Sequence, residues 1–439
     1  MTILRREEAK AILTKVTGFS KADALEASLN GGRNGNIRYA RNSVSTSGSV
    51  EDTTLVVRSN FGKRSGTATI NELNEASLEK VVRRAEALAK LAPENPEFMP
   101  VLGPQGAYLA SPAHFAATAA IDPAYRAKAA TDSIGPSRSK KLVAAGFLQD
   151  GDGFQAMMNT KGLFAYHRAT DVEFSVTVRT EDGTGSGWVS RDFNDAAKLD
   201  TGTASQIAID KALGSRRPKA IEPGKYTVIL EPAASSGLIQ FMFGSFDARQ
   251  ADEGRSFLAK KGGGTKLGEK LFDERVSIWS DPSHPEVPAV PWSQDGQRRD
   301  KTIWIDRGVV KNLFYSRYWA QKQEKKPIPF PANGIMRGGE QTTEQLIAET
   351  DRGILVTRTW YIRMVDPQTL LLTGLTRDGT FFIENGKIAF PVKNMRFNES
   401  PIIMLNNIEA LGRPVRQDGN LIAPMRIRDF TFSSLSDAV

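Results

Sequence analysis

The side chains that most often carry out chemistry are unevenly supplied in this chain of 439 residues: cysteine is absent, histidine occurs three times, and Asp and Glu together number 50. The lack of cysteine excludes disulfides, thiolate metal ligands and a cysteine nucleophile. A three-histidine zinc centre would need His114, His167 and His284 to converge, and their settings speak against it. His114 lies in the Ala-rich SPAHFAATAA, His167 in the strand-like YHRATDVEFSV and His284 in the Pro-rich turn DPSHPEVP. Each reads as a structural or solvated imidazole, and no Ser/His/Asp set is apparent. Asp252 and Glu253 form a carboxylate pair with no histidine near them in sequence. The run Lys261–Lys266, KGGGTK, has the composition of a phosphate loop. It lacks the Gly-x-x-x-x-Gly-Lys-Ser/Thr spacing and does not lead from a strand into a helix, so it reads as a loop.

The formal net charge is +8, which would suit nucleic acid, acidic peptides or an acidic partner subunit. The basic clusters SRRPK, GQRRDK and QKQEKKP are short, and none has the interleaved aromatics of a single-strand platform. A solvated basic surface is the simpler reading. Hydrophobic content of 40% and charged content of 25% belong to a globular protein with a sizeable core. There is no apolar run of about 18 residues to span a membrane. The N-terminal MTILRREEAKAIL lacks the order of a signal peptide, so a cytoplasmic location is expected.

The elements that must position these groups can be read from periodicity. An amphipathic helix is expected over Arg6–Val16, then a Gly/Asn-rich segment, then alternating runs from Ile37 to Ile70 that read as an antiparallel meander. Leu73–Leu91 has apolar residues at three- and four-residue intervals, with Asn74 or Ser77 as cap and Pro93 as stop. HFAATAAIDPAYRAKAATDSI reads as helical with a break at Pro123, Lys140–Arg191 as a second set of strands, and Thr203–Leu213 as a short helix. GSRRPKAIEPG has two prolines and two glycines and marks a domain boundary, dividing the chain into 1–217 and 218–439. Beyond it, Tyr226–Leu230 is a buried strand, Glu231-Pro232 a turn, and Ser235–Phe246 an apolar helix. The remainder is mostly β, with Asn-Gly in FFIENGKIAFPV as its clearest hairpin signal.

In order and spacing, four stretches together resemble the TldD/PmbA family over nearly the whole chain. They are IRYARNSVSTSGSVEDTTLVVRSNFGKRSGTATINELNEASLEKVVRRAEALAKLAPENP, IEPGKYTVILEPAASSGLIQFMFGSF, GEKLFDERVSIWSDP with DGQRRDKTIWIDRGVVKNLFYSRYWA, and TGLTRDGTFFIENGKIAFPVKNMRF. The resemblance implies an α+β fold: an N-terminal antiparallel sheet with helices, and a largely antiparallel, barrel-like C-terminal domain. In active members the helix equivalent to Ser235–Phe246 carries His-Glu-x-x-x-His, and a later cysteine completes a metal site. The metal acts as Lewis acid and the glutamate deprotonates the attacking water. Set on that motif, LIQFMFGS places Gln240 and Ser245 at the histidines and Phe241 at the general base, and the third ligand has no cysteine to supply it.

The chain therefore looks like the TldE/PmbA branch, which lacks the motif and pairs with a TldD-like subunit. The resemblance implies a non-catalytic subunit of a metallopeptidase complex acting in cytosolic proteolysis on unfolded or modified peptides. No catalytic, cofactor or metal residue is expected in this chain, and zinc is expected in the partner that keeps His-Glu-x-x-x-His. Phe241, Phe243 and Phe246 read as packing residues first and as a subunit or peptide contact second. Arg249, with Asp252, Glu253 and Arg255, is either solvated or reaches a partner. The alternative from another class is a stand-alone homodimer that binds peptide or nucleic acid without peptidase activity.

Overall fold

The computed structural model describes residues 3–436. Helix α1 (Arg6–Gly18) leads into three long antiparallel strands, β1 (Ala24–Ala40), β2 (Ser43–Phe61) and β3 (Arg64–Ile70). The Gly/Asn-rich segment expected to precede the meander is the middle of β1. Its residues 30–36 pair with β2 on one side and with β4 (Leu142–Asn159) on the other. Helix α2 (Glu75–Leu91) comes next; of its two candidate caps Asn74 is the one used, accepting from the Ser77 amide at 3.0 Å. Pro123 does break the Ala-rich region: α3 (Ala116–Ala119) is one turn, and α4 (Pro123–Ser139) begins afresh with Asp122 as cap. The strands β5 (Phe164–Thr180) and β6 (Ser186–Phe193) complete a six-stranded sheet in the order β3-β2-β1-β4-β5-β6, and α5 (Thr201–Gly214) packs on it.

Alternation along β1 explains the layering. Leu25, Ala27, Leu29, Ile37 and Tyr39 point to one face and are buried under the helices. One core beneath α1 and α2 includes Leu13, Leu55 and Val82; a second beneath α4 and α5 includes Phe174, Val176 and Ile209. The opposite face, with Asn30, Gly32 and Asn34, carries no helix among the described residues and turns toward Val290 of the C-terminal half.

That half opens with β7 (Gly224–Leu230), α6 (Pro232–Gly244) and α7 (Ala248–Asp252). Next come β8 (Ile278–Ser280), β9 (Thr302–Asp306), β10 (Val309–Val310), α8 (Arg317–Lys322), β11 (Ile335–Met336) and α9 (Thr343–Ala348). The chain continues through β12 (Arg352–Val356), β13 (Thr359–Asp366), β14 (Leu371–Thr376), β15 (Thr380–Glu384), β16 (Lys387–Pro391) and β17 (Met395–Glu399). It closes with α10 (Pro401–Asn406), β18 (Ile408–Leu411), β19 (Val415–Gln417), β20 (Asn420–Ile422) and β21 (Met425–Leu435). The large sheet runs β13-β14-β17-β21-β7-β12-β15-β16 with β18 beside β21, and a smaller one runs β10-β9-β8-β11-β20-β19.

The α+β class and the largely antiparallel pairing are as the sequence implies. The barrel-like form is not: both C-terminal sheets stay open, with β13 and β16 as separate edges of the larger one. Among the described residues, the named strands pair in parallel only as β7 with β12 and β11 with β20, with isolated parallel bridges at Lys219–Val392 and Asp247–Phe314. Among the described residues no helix is long and apolar enough to cross a membrane.

Candidate functional site

Helix α6 starts three residues earlier than its apolar pattern suggests. Pro232 takes the first helical position, where its missing N–H costs no intrahelical bond, and the Glu231 carbonyl accepts from Ala234 and Ser235. The helix ends at Gly244, so Ser245 is its C-terminal cap and Phe246 lies beyond it. Leu238, Ile239 and Met242 bury one face in the main C-terminal core.

The three residues at the motif positions differ in setting. Gln240 is exposed, and its amide Nε2 donates to the Ser236 hydroxyl at 3.1 Å. Phe241 is half-buried against the core. Ser245 is buried, and its hydroxyl donates to the Phe241 carbonyl at 3.3 Å, turning it back on its own helix. A neutral amide, a phenyl ring and a hydroxyl already engaged by the backbone do not form a zinc-ligand set with a base beside it. Zinc does not fit this donor set, and no group of three or more His, Asp or Glu converges elsewhere among the described residues.

The polar side of α6 is tied instead to the N-terminal sheet. The Ser236 hydroxyl donates to Asp418 Oδ2 at 3.3 Å, and the Asp418 amide donates to Asp192 Oδ1 at 2.9 Å. Asp192, on β6, also accepts from the Gly419 amide at 2.9 Å and from Arg416 Nε at 2.8 Å. Burial, the larger effect, and the nearby Asp192 push the Asp418 carboxyl up from its ordinary range, against the hydrogen bond that Gln417 gives it. Beside Gln240 lies a mostly apolar cavity of about 320 Å³ walled by Ile239, Phe243, Phe330, Met336 and Ile422.

The aromatic set separates in the same way. Phe246 lies wholly in the core, with its ring 5.4 Å from Phe243 and 6.1 Å from Phe257. Phe243 reaches the cavity wall, and Phe241 keeps some surface. Arg249 is committed within the chain: it makes a two-point pair with Glu97 at 3.0 and 2.9 Å, bonds Glu253 at 3.0 Å and lies over the Trp319 ring. Asp252 accepts from the Trp319 indole at 2.7 Å, so it and Glu253 serve structural bonds.

The histidines are dispersed. His114 Nε2 lies 3.3 Å from Asp152, His284 Nδ1 accepts from the Glu286 amide at 3.3 Å, and His167 is buried edge-on to Trp292. Burial pushes the His167 imidazole down to about 4.

Against α6 lies a strand that the sequence pattern does not single out. β13 is an edge of the large sheet, and its Thr359 hydroxyl donates to the Ala234 carbonyl at 2.7 Å. Gly237 faces Ile362 so closely that a Cβ would come within 2.7 Å of Ile362 Cδ1. Trp360, Tyr361, Met364 and Val365 stand exposed along β13. The aromatic- and aliphatic-rich run TWYIRMV is the available signal, but it does not tell an edge from an interior strand.

Three family models match in sequence: PmbA/TldA metallopeptidase domain 1 over residues 25–89, the central domain over 114–216 and the C-terminal domain over 223–434. A metalloprotease of Methanothermobacter thermautotrophicus is 22% identical over 293 residues, covering 61% of this chain and 62% of that protein, so the match spans about three fifths of that relative. Metalloprotease PmbA of Escherichia coli O157:H7 is 22% identical over 381 residues, covering 82% of this chain and 80% of that protein. The crystal structure of TldE from Thermococcus kodakarensis superposes with a TM-score of 0.86 at 17% identity, covering 97% of this chain and 99% of that one. With three consecutive domain models laid end to end over most of its length, the chain belongs to the PmbA/TldD metallopeptidase family.

Proposed function

We propose that this protein is the non-catalytic subunit of a TldD/TldE-type metallopeptidase, working in cytosolic proteolysis or peptide processing. Its partner would be a subunit with an intact His-Glu-x-x-x-His motif, which holds the zinc and supplies the general base. The carrying observation is the donor set on α6 and its cap: Gln240, Phe241 and the self-bonded Ser245 offer neither a metal site nor a base, on a helix whose other face is buried in the core. The likeness to TldE supports the pairing through fold alone.

The surface beside α6 suits a partner. Trp360, Tyr361, Met364 and Val365 present an apolar strip, and aromatic and aliphatic side chains of this kind form interface centres. The ladder slips between Trp360 and Arg363, where Tyr361 has φ of 55°, so docking there uses side chains more than strand extension. Within the complex this chain would help enclose the site and guide unfolded or modified peptides to it.

The test is purification of the tagged chain from its own host, followed by native mass spectrometry, zinc analysis and a peptidase assay. A one-to-one complex with a motif-bearing paralogue is expected. The complex should hold zinc and cleave unstructured peptides, and the isolated chain should do neither. Stoichiometric zinc with peptidase activity on the isolated chain would overturn the proposal. A homodimer without such a partner, binding nucleic acid in a salt-sensitive way, would favour the stand-alone binding protein instead.

A further inference from the structure

The helix-free face of the N-terminal sheet holds a second cavity, of about 360 Å³, away from α6. Its floor is bare of side chains at Gly32 and Gly153, while Asp171 Oδ1 and Asn34 Oδ1 lie over Gly151. Gly32 of β1 pairs with Gly153 of β4, and Gly151 of β4 pairs with Asn34 of β1. A Cβ on Gly32 would come within 2.6 Å of the Asp152 carbonyl oxygen, and one on Gly151 within 2.5 Å of Asp171 Oδ1. Glycine inside a strand often marks a place where another backbone comes close. Asp52, across the sheet on β2, pairs in register with Gly32; Asp171, on β5, pairs in register with Gly151.

The charged side chains that line the cavity, Asp52, Asp152 and Asp171, are all acidic, and Arg416 acts on Asp171 from outside it. Asp150 and Asp152, the other acids nearby, are neutralised by Arg126 and Arg168. Among the described residues Asp52 and Asp171 have no ion-pair partner, although the chain as a whole has a net charge of +8. Asp52 accepts only local bonds, from the Thr53 amide and the Thr54 hydroxyl. Asp52 and Asp171 are both exposed; desolvation by the sheet around Asp171, the larger effect, and Asp150 push its carboxyl up from its ordinary range, against the Arg416 cation.

A second, independent feature points the same way. His167 lines this cavity, is 7% exposed, and has no side-chain hydrogen-bond partner among the described residues. Burial keeps it neutral near pH 7, so one ring nitrogen is an acceptor and the other a donor. Its ring nitrogens keep some accessible surface, so a ligand in the cavity can reach them. Two unpaired carboxylates and an imidazole acceptor ask for a group with positive charge and several N–H donors. A metal ion does not suit them, because no three ligating side chains converge among the described residues.

We propose that this groove binds an arginine or lysine side chain of an extended polypeptide, whose backbone lies over the Gly32–Gly153 floor between Asp52 and Asp171. The proposal deepens the subunit reading by naming a substrate class, and it rests on that reading only in taking polypeptide as the ligand. The bare floor favours a polypeptide over a free amine, since a small cation needs no flat approach for a backbone.

The experiment is fluorescence anisotropy on the isolated full chain, without partner or zinc. The probe is a labelled, unstructured Gly/Ser/Ala peptide with one central arginine. The competitors are the same peptide with citrulline and Nα-acetyl-arginine amide. The citrulline peptide should bind roughly tenfold more weakly, as should the free arginine derivative. Asp52→Asn and Asp171→Asn should each weaken the arginine peptide by roughly five- to tenfold, and added salt should do the same. Circular dichroism of each variant should match the wild type. Equal binding of the arginine and citrulline peptides would sink the idea, as would unchanged affinity in the folded Asp52→Asn/Asp171→Asn double variant. Binding of the free derivative as tight as the peptide would remove the polypeptide from it. Because neither zinc nor the partner is present, a negative result leaves the subunit reading standing. A failure of that reading in turn leaves this measurement intact.

Discussion

Arg126 and Asp150 form a buried two-point ion pair, Nε to Oδ1 at 2.6 Å and Nη2 to Oδ2 at 3.0 Å, and the absence of a side chain at Gly35 makes room for it. The pair joins α4 to the middle of β4. A Cβ at position 35 would fall inside the guanidinium group. Removing one member leaves the other charge buried and uncompensated. Asp150→Ala should therefore cost about 3–5 kcal/mol in urea denaturation. Gly35→Ala should also destabilise, by forcing the guanidinium off its carboxylate. A loss below about 1 kcal/mol in both variants would mean that the pair is far better hydrated than its burial implies.

His167 should make stability fall with acid. Its folded pKa of about 4 lies below the unfolded value, so between these two pH values the unfolded chain binds a proton that the folded chain does not. Stability then rises with pH through this window and levels off above about 6.5. Asp171, Glu173 and Asp418 have raised folded values and act with the opposite sign. A comparison with His167→Gln isolates the histidine. From pH 7 to pH 4.5 the wild type should lose about 2–3 kcal/mol relative to the variant. Parallel stability curves for the two proteins would refute the assignment.

Arg358 joins the two halves of the molecule through both charge and stacking. Its guanidinium lies 3.9 Å from the Trp188 ring centroid and 4.8 Å from that of Trp360, and Nη1 donates to Asp378 at 2.7 Å. Asp378, buried, also accepts from the Ser186 hydroxyl at 2.6 Å. Lysine keeps the charge but loses the planar fork and the stacked face. Arg358→Lys should lower stability by about 1–3 kcal/mol, seen as a lower Tm. An unchanged Tm would show that the stack is replaceable by a point charge.

The exposed side chains of β13 should matter for assembly and little for the fold. Met364→Lys and Val365→Lys should each change stability by about 0.5 kcal/mol or less, because both side chains already meet solvent. The doubly substituted chain should fail to copurify with a motif-bearing partner that the wild type retains. Undiminished copurification would place the partner elsewhere.

Much of the local structure is legible in the chain, and the exceptions have physical causes. The Asn385-Gly386 hairpin and the cap at Asn74 rest on local chemistry and appear where the residues put them. Pro232 suits a turn and a first helical turn equally, so the residue pattern alone starts α6 too late. The run NGGRNGN has low strand propensity and reads as a break. It is a strand interior because β2 and β4 pair with it on both sides and because its glycines admit Arg126 and the close carbonyl of Asp152. The open form of the C-terminal sheet depends on which distant strands pair, and no local pattern encodes that. The bond from Ser236 to Asp418 spans 182 positions and is equally out of reach.

The clasp at Asp192 has a consequence for chain connectivity. Residues 219–223 are mostly exposed and carry the only covalent crossing from β6 and α5 into β7. On both sides of that crossing the halves are held by Arg416 on Asp192, Gln417 on Ser190, Arg249 on Glu97 and the Tyr108 hydroxyl on the Gly296 carbonyl. A protease that nicks the crossing would therefore leave two fragments that migrate as one particle under native conditions and part only in denaturant. The peptide bond there sets the effective concentration of the halves, while the side chains set their geometry.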